Sequence, residues 1–110
     1  MNTLFVYCIC ESIEQAKMIA KEVISKRFAA CANILPKMTS IYWWEDSIEQ
    51  SEEVVLIFKT REDLFESINS LVLSLHSYTT PCLISLPIVS GNPSYLEWIF
   101  TETSSPTKSH

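Results

Sequence analysis

The sequence predicts an α+β domain organised around one long β-hairpin that lies between two amphipathic helices. The hairpin is predicted over residues 29–60, where two apolar arms are separated by the polar turn formers Glu45, Asp46 and Ser47. A stripe of apolar residues three and four apart precedes these arms, and a second stripe follows them. A hairpin of this length exceeds an ordinary strand pair, so part of it must project beyond its own core or lie on another subunit.

The composition is that of one compact globular domain. The chain has 110 residues, of which 47% are hydrophobic and 19% charged, and it contains a single glycine. Its net charge of -5 argues against a nucleic-acid partner, because such binding depends on neutralising phosphates. No apolar run approaches the roughly 20 residues of a membrane span, and the first residues lack a basic secretory region. We therefore predict a cytoplasmic protein with reduced cysteines and no membrane partner.

The first strand and the first helix are predicted from their apolar periods. Residues 4–10 are apolar on both alternating faces, which is typical of a central strand that is covered on both sides. Ser12 and Gln15 have the spacing of a capping box, and apolar residues then recur on one stripe up to about Arg27. The chain therefore begins with a strand followed by a helix.

The two arms of the hairpin have different predicted positions in the sheet. Pro36 cannot donate to a ladder, so the first arm is predicted to be an edge strand or to bulge there. The second arm holds five successive apolar residues, 54–58, and should be central. Thr60 and Asp63 are expected to begin the second helix, in which apolar residues recur as far as Leu75.

The last part of the chain predicts a strand, a short helix and a tail. A fourth strand is predicted from Cys82 to Val89. Asn92 and Pro93 then form an N-cap and first-turn pair for a short third helix. The single domain is thus predicted over residues 1–102, and the polar tail at 103–110 is expected to fray.

The resulting order, βαββαβα, predicts a ferredoxin-like sandwich with the first two helices on one face of a four-stranded sheet. The first and third strands are apolar on the other face as well, and a short third helix cannot cover all of that face. A monomer would therefore expose a large apolar surface. We predict a closed homo-oligomer in which sheets face each other and the hairpin arms pair across subunits.

Five segments of the sequence carry more information than the general pattern of the fold. They are AACANILP at 29–36, SIYWWE at 40–45, FKT at 58–60, the segment from His76 to Pro81, and YLEWI at 95–99. Together they resemble the CutA-type divalent-cation-tolerance family over roughly residues 4–102. This resemblance implies a PII-like fold assembled as a tight homotrimer, a cytoplasmic location, and a role tied to copper and other divalent cations.

The sequence departs from the pattern of that family at two places. The family segment His-Pro-Tyr-Glu-x-Pro-Glu has two carboxylates at the positions where this chain has Thr79 and Cys82. The usual glycine of the hairpin turn is replaced by Asp46. The first departure affects any metal or substrate site that depends on carboxylates, whereas the second affects only the turn.

Candidate metal ligands are found among the cysteines and one histidine. Cys8 and Cys10 lie on the same face of a strand and thiolates suit Cu(I), although core packing is the more common role of a free cysteine. Cys31 follows the first helix, where a small buried residue is the alternative. His76 is expected at the end of the second helix, where it is either a ligand for copper or zinc or a helix cap. We predict weak binding of Cu or Zn, with no organic cofactor, by His76, Cys31, Cys82 and Cys8.

A PII-like signalling or small-ligand-binding trimer is the alternative function. Its ligand would lie in a cleft between subunits lined by Lys59, Tyr42, Tyr78 and Trp44. A lysine at a sheet edge and aromatic anchors at a subunit interface are the competing interpretations of these side chains. An enzyme is not predicted, because a single glycine excludes the P-loop and the dinucleotide fingerprint, and no G-x-S-x-G motif occurs.

Overall fold

The computed structural model describes residues 2–104 as one antiparallel sheet of four strands with three helices. The elements are β1 (Thr3–Cys10), α1 (Ile13–Ser25), β2 (Cys31–Trp44), β3 (Ser47–Arg61), a 3-10 turn (Glu62–Leu64), α2 (Phe65–Leu75), β4 (Leu83–Pro87) and α3 (Pro93–Glu102). The strand order is β2-β3-β1-β4. The predicted α+β class with ferredoxin-like βαββαβα order is therefore confirmed. Most of the tail that was expected to fray, 105–110, lies outside the described residues.

The side of the sheet covered by α1 and α2 holds the hydrophobic core, and we call it the core face. Cross-strand partners such as Val6 and Phe58, or Cys8 and Leu56, place the even-numbered residues of β1 and β3 on this face. Ile19 of α1 packs in the same cluster. The other core residues are Leu4, Cys10, Ala16, Ala20, Val23, Ala29, Val54, Ile68 and Val72. Both β1 and β3 are central strands, as their sequences predict.

The opposite side, which carries the odd-numbered residues of β1 and β3, is called the open face. Helix α3 covers it beside the end of β3, where the Arg61 guanidinium lies 5.8 Å from the centre of the Phe100 ring. Farther along, Leu35, Ile84 and Leu86 each expose about half of their surface. The protomer therefore leaves apolar side chains of this face in contact with solvent.

One β-bulge in the hairpin changes which residues of β2 lie on the open face. Leu35 pairs with Val55 and Met38 pairs with Glu53, so the two residues 36–37 of β2 stand opposite one residue of β3. The bulge contains the proline that predicted an irregular edge strand, and β2 is indeed the edge strand. Beyond the bulge the even-numbered residues of β2 lie on the open face, including Tyr42 and Trp44.

The tip of the hairpin is a two-residue turn. Trp44 pairs with Ser47, and the two residues between them, Glu45 and Asp46, have φ angles of 48° and 67°. Positive φ at both central residues is the geometry of a type I′ turn, which matches the twist of the flanking strands. Asp46 thus adopts a left-handed conformation, which aspartate tolerates better than most residues other than glycine and asparagine.

Three predicted boundaries are wrong. Thr60 does not begin the second helix, because β3 continues to Arg61 and α2 begins only at Phe65, without a side-chain cap. The first helix ends at Ser25 rather than near Arg27. Arg27 has a φ of 63°, and the main-chain N–H groups of residues 27 and 28 donate to the oxygens of Ile24 and Val23, which closes the helix. The fourth strand is shorter than predicted, because it pairs with β1 only over residues 83–87.

Candidate functional site

Two cysteines and one histidine form the candidate metal site. The ligand atoms of Cys8, Cys10 and His76 all lie within 4.8 Å of one another. Cys8 and Cys10 come from adjacent core-face positions of β1 and are fully buried. His76 is the C-cap residue of α2, which brings it next to the end of the strand. We call this group the thiol–imidazole cluster, and it combines ligand types that suit Cu(I) and Zn(II).

Both ring nitrogens of His76 have hydrogen-bond partners. The Nε2–H group donates a hydrogen bond of 2.7 Å to the main-chain oxygen of Ile9. The main-chain N–H of Tyr78 donates to Nδ1 at 3.1 Å. These two contacts assign the donor role to Nε2 and the acceptor role to Nδ1. An ion bound by His76 must therefore displace one of these hydrogen bonds.

The two cysteines of the cluster differ in their acidity. The hydrogen bond with Cys10 and burial in the core raise the pKa of Cys8 far above its ordinary value. The interaction with Cys8 lowers the pKa of Cys10. Because metals bind thiolates, an ion at this cluster has to release the proton that Cys8 retains.

Cys31 lies on the open face, apart from the thiol–imidazole cluster. It is opposite Lys59 in the sheet register, and the Lys59 ammonium donates to its Sγ at 3.8 Å and also to Asn33 Oδ1. The Tyr95 hydroxyl is 4.0 Å from the same sulfur. Cys31 and Lys59 therefore belong to one polar group beside α3.

A cavity of about 660 Å³ lies on the open face between the projecting part of the hairpin and the segment before β4. Three of the predicted cleft residues, Tyr42, Tyr78 and Trp44, line it, and Lys59 does not. Cys82 also lines it, and burial together with the charge of Glu53 raises the pKa of the Cys82 thiol. The remaining lining residues are Ile9, Ser40, Ile41, Glu53, Ser77, Thr79 and Thr80.

Tyr78 connects the cavity with the thiol–imidazole cluster. Its ring lies 4.8 Å from the ring of His76, and its hydroxyl donates to Oε2 of Glu53. Burial and the hydrogen bond to Glu53 raise the pKa of Tyr78 above its ordinary value, so the hydroxyl remains a donor. One loop residue thus contacts the histidine through its backbone and the carboxylate through its side chain.

Two residues of these sites were absent from the predicted ligand sets. Cys10 joins Cys8 and His76, and the C-x-C spacing on one strand was the signal that both thiols share a face. Glu53 lines the cavity, and its signal in the sequence was a carboxylate at an open-face position next to the apolar run of β3. The proximity of Glu53 to Tyr78 depends on the loop before β4, which has no period in the sequence.

Comparison with known proteins agrees with the fold. Residues 4–102 match the family model of the CutA1 divalent ion tolerance protein. The chain is 43% identical over 95 residues to the divalent-cation tolerance protein CutA of Archaeoglobus fulgidus, covering 86% of this chain and 92% of that one. It is 40% identical over 109 residues to protein CutA of Mus musculus, covering 99% of this chain and 60% of the mouse protein. The chain therefore spans less than two thirds of the mouse relative.

Solved structures give the same result. The crystal structure of CutA1 from Oryza sativa has a TM-score of 0.91 and 39% identity, covering 94% of this chain and 95% of that chain. The structure of the divalent cation tolerance protein from Thermus thermophilus has a TM-score of 0.90 and 38% identity, covering 93% of this chain and 99% of that chain. Similar folds are thus found in a plant and in a bacterium.

The ferredoxin-like fold and these matches define the class of the protein, which is a divalent-cation tolerance protein. The chain belongs to the CutA1 divalent ion tolerance protein family, which confirms the resemblance seen in its sequence. One of the similar structures is named a periplasmic protein and one relative a chloroplastic protein. Over the part of the chain that the structure describes, no helix is long and apolar enough to cross a membrane.

Proposed function

We propose that this chain acts in cation tolerance by weakly binding a copper or zinc ion at the thiol–imidazole cluster. The observation that supports this proposal is the approach of the Cys8, Cys10 and His76 ligand atoms to within 4.8 Å of one another. Thiolate and imidazole ligands favour these metals over magnesium or calcium. Binding is weak because the ion has to displace a hydrogen bond of His76 and enter a buried site.

The two other predicted ligands have a different place in this proposal. Cys31 and Cys82 lie on the open face, whereas Cys8 and Cys10 point into the core. The group of ligand atoms within 4.8 Å of one another includes neither Cys31 nor Cys82. We place the ion at Cys8, Cys10 and His76 within one protomer.

Native mass spectrometry of the reduced, metal-free protein with added Cu(I), Cu(II) or Zn(II) tests the metal site. We expect one ion per subunit in the wild type and in the matched controls Cys31→Ser and Cys82→Ser. The Cys10→Ser variant should lose most of this uptake, because it removes one of the three ligands of the cluster. Unchanged uptake in a Cys8→Ser, Cys10→Ser double variant would reject the site.

We further propose that the protein is a homotrimer in the cytoplasm. The half-exposed apolar residues of the open face support an assembly that buries this face. The four free thiols support a reducing compartment, which cell fractionation can check. Ile84→Lys should shift the trimer towards monomers in analytical ultracentrifugation, because it places a charge on the open face. Leu73→Lys is the control, since Leu73 is similarly exposed but lies on α2.

A second candidate function is the binding of a small ligand by a PII-like trimer. It is supported by the cavity of about 660 Å³ that Tyr42, Tyr78 and Trp44 line. The volume of this cavity is within the range of small-molecule binding sites. Such sites are lined mostly by apolar side chains, with a few polar groups. Lys59 has no part in this cavity within one protomer. Calorimetric titration of candidate ligands tests the proposal, and its failure leaves the metal site unaffected.

A further inference from the structure

The main-chain N–H of Tyr78 occupies the hydrogen-bonding position that a metal ion at His76 requires. It donates to Nδ1 of the imidazole at 3.1 Å, while the Nε2–H group of the same ring donates to the Ile9 oxygen at 2.7 Å. A neutral imidazole has one nitrogen that carries a proton and one that offers a lone pair. In the metal-free protein the lone pair is on Nδ1, and the Tyr78 N–H uses it.

The hydrogen bond from Tyr78 is lost whichever ring nitrogen binds the ion. If Nδ1 is the ligand, the ion takes the lone pair that accepts the Tyr78 N–H. If Nε2 is the ligand, the ring proton moves to Nδ1, where it faces the N–H group of Tyr78. Two donors cannot share a hydrogen bond, so the main chain at Tyr78 has to turn away in both cases. The bond from His76 to Ile9, by contrast, can persist when Nδ1 is the ligand.

The side chain of Tyr78 holds its main chain in this position. Its ring lies 4.8 Å from the ring of His76, and its hydroxyl donates to Oε2 of Glu53. Burial and this hydrogen bond raise the pKa of the hydroxyl, so it keeps its proton and remains a donor. Tyr78 is thus fixed at its ring, at its hydroxyl and at its main-chain N–H.

Glu53 is a firm anchor for this hydroxyl. Its backbone pairs with Met38 across the hairpin, and the residue is only 8% exposed. Among the described residues, the Tyr78 hydroxyl is the one hydrogen-bond donor to the Glu53 side chain. A hydrogen bond to a carboxylate is stronger than one between neutral groups. Release of Tyr78 from Glu53 therefore has a substantial cost.

This anchor is compatible with assembly of the protein. Tyr78 and Glu53 lie on the open face, which the proposed homotrimer buries. Their hydrogen bond lies within one protomer, and the exclusion of water by a neighbouring subunit strengthens it. Burial of the open face therefore retains the hold of Glu53 on Tyr78.

We propose that Tyr78, anchored by Glu53, is an autoinhibitory contact that competes with the metal ion for His76. The inference rests on the proposed metal-binding function, because it concerns the regulation of that same thiol–imidazole cluster. Binding of an ion requires release of the Tyr78 main chain, and the hydrogen bond to Glu53 opposes this release. The affinity of the cluster is therefore lower than its three ligands alone would give.

The affinity for Zn(II), measured on the full-length reduced protein by competition with a chromophoric chelator, tests the proposal. Zn(II) is the probe because it has no redox chemistry. Tyr78→Phe removes the hydroxyl but keeps the ring and the main-chain N–H, and it should bind Zn(II) at least about fivefold more tightly than the wild type. Tyr42→Phe is the matched control, since Tyr42 lines the same cavity but its hydroxyl pairs with Ser51. Its affinity should equal that of the wild type.

A double-mutant cycle tests the role of Glu53 as the anchor. Glu53 also acts through its charge, which attracts a cation to the cluster, and the cycle separates this effect from the hydrogen bond. Glu53→Gln should change the Zn(II) affinity at least about threefold more favourably in the wild-type background than in the Tyr78→Phe background. Equal effects in the two backgrounds would reject Glu53 as the anchor.

Hydrogen exchange measured by nuclear magnetic resonance provides a readout that a purely structural role of Tyr78 would not change. Saturation with Zn(II) should accelerate exchange of the Tyr78 amide proton, because its acceptor is lost. The amide of His76 is the control, since it donates to the Val72 oxygen at the end of α2 and should keep its protection.

The outcomes separate the autoinhibitory contact from the metal site on which it rests. Zn(II) binding that is unchanged or weaker in Tyr78→Phe overturns the autoinhibitory contact but keeps the site. A Tyr78 amide that stays protected in the zinc-loaded protein does the same. Absence of Zn(II) binding by both the wild type and Tyr78→Phe overturns both proposals, whereas binding by Tyr78→Phe alone supports the autoinhibitory contact.

Discussion

The hydroxyl of Thr60 donates a hydrogen bond of 2.6 Å to the main-chain oxygen of Phe28. Thr60 is fully buried near the end of β3, and Phe28 lies in the segment that follows α1. The contact therefore joins two parts of the chain that are 32 residues apart. It also holds the start of β2 beside β3, together with the main-chain bond from Ala30 to Lys59.

Loss of this hydroxyl should destabilise the protein. Thr60→Val keeps the shape but leaves the Phe28 oxygen without this donor, and we expect a loss of about 1–3 kcal/mol in the free energy of unfolding. Thr60→Ser keeps the donor and should lose less. Urea unfolding at a fixed protomer concentration measures both values. Equal stability of the two variants would contradict a role for the hydrogen bond.

The same residue shows where sequence reasoning is insufficient. Thr60 and Asp63 have the residue types and spacing of a helix start, yet a tertiary contact with Phe28 keeps Thr60 in the strand. The apolar periods of β1, α1, β3 and α2 predict the fold class. Each period arises because the helix or strand buries one or both of its faces. Boundaries set by contacts between distant segments leave no comparable period.

The candidate sites were predictable to different extents. The shared face of Cys8 and Cys10 follows from the two-residue period of a strand. The approach of His76 does not, because it is fixed by the hydrogen bond to Ile9, 67 residues away in the chain. In the cavity, Tyr42 lies on the same face as Glu53 only because of the bulge. The proline in the sequence indicates a bulge but does not give the register of the strands beyond it.

The hairpin turn should become more stable when Asp46 is replaced by glycine. Asp46 has a φ of 67°, a left-handed conformation that costs an L residue roughly 1–2 kcal/mol and that glycine adopts freely. After the greater chain entropy of glycine is subtracted, we expect Asp46→Gly to raise the free energy of unfolding by about 0.5–1 kcal/mol. Thermal unfolding at constant protein concentration measures the change.

The control for this prediction is a glycine at the neighbouring strand position. Ser47→Gly lies in β3 and should destabilise the protein, because its backbone has no positive φ to relieve. A lower melting temperature for Asp46→Gly than for the wild type would contradict the assignment of strain to the turn.

His76 should stabilise the metal-free protein as well as bind metal. Replacing it with alanine removes the partners of the Ile9 oxygen and of the Tyr78 N–H, and we expect a loss of about 1–3 kcal/mol without any metal present. Denaturant unfolding in the presence of a chelator measures this effect. Wild-type stability of metal-free His76→Ala would show that these two hydrogen bonds contribute little.

Alkaline pH should destabilise the protein through Cys82. Burial and the charge of Glu53 raise the pKa of Cys82 in the folded state above its ordinary value of 9.0. As the pH rises past about 9, the unfolded chain loses this proton first, so the unfolded state is favoured and the free energy of unfolding falls. The stabilising contribution is thus complete below the ordinary pKa and is lost as the pH rises towards the folded-state pKa.

Unfolding of chelator-treated protein between about pH 7.5 and pH 10.5 tests this linkage. Cys82→Ala should show a shallower alkaline decline than the wild type, because it removes the titrating group. Glu53→Gln should fall between them, since it removes the second cause of the raised pKa and leaves burial in place. An alkaline decline as steep in Cys82→Ala as in the wild type would assign the effect to other groups.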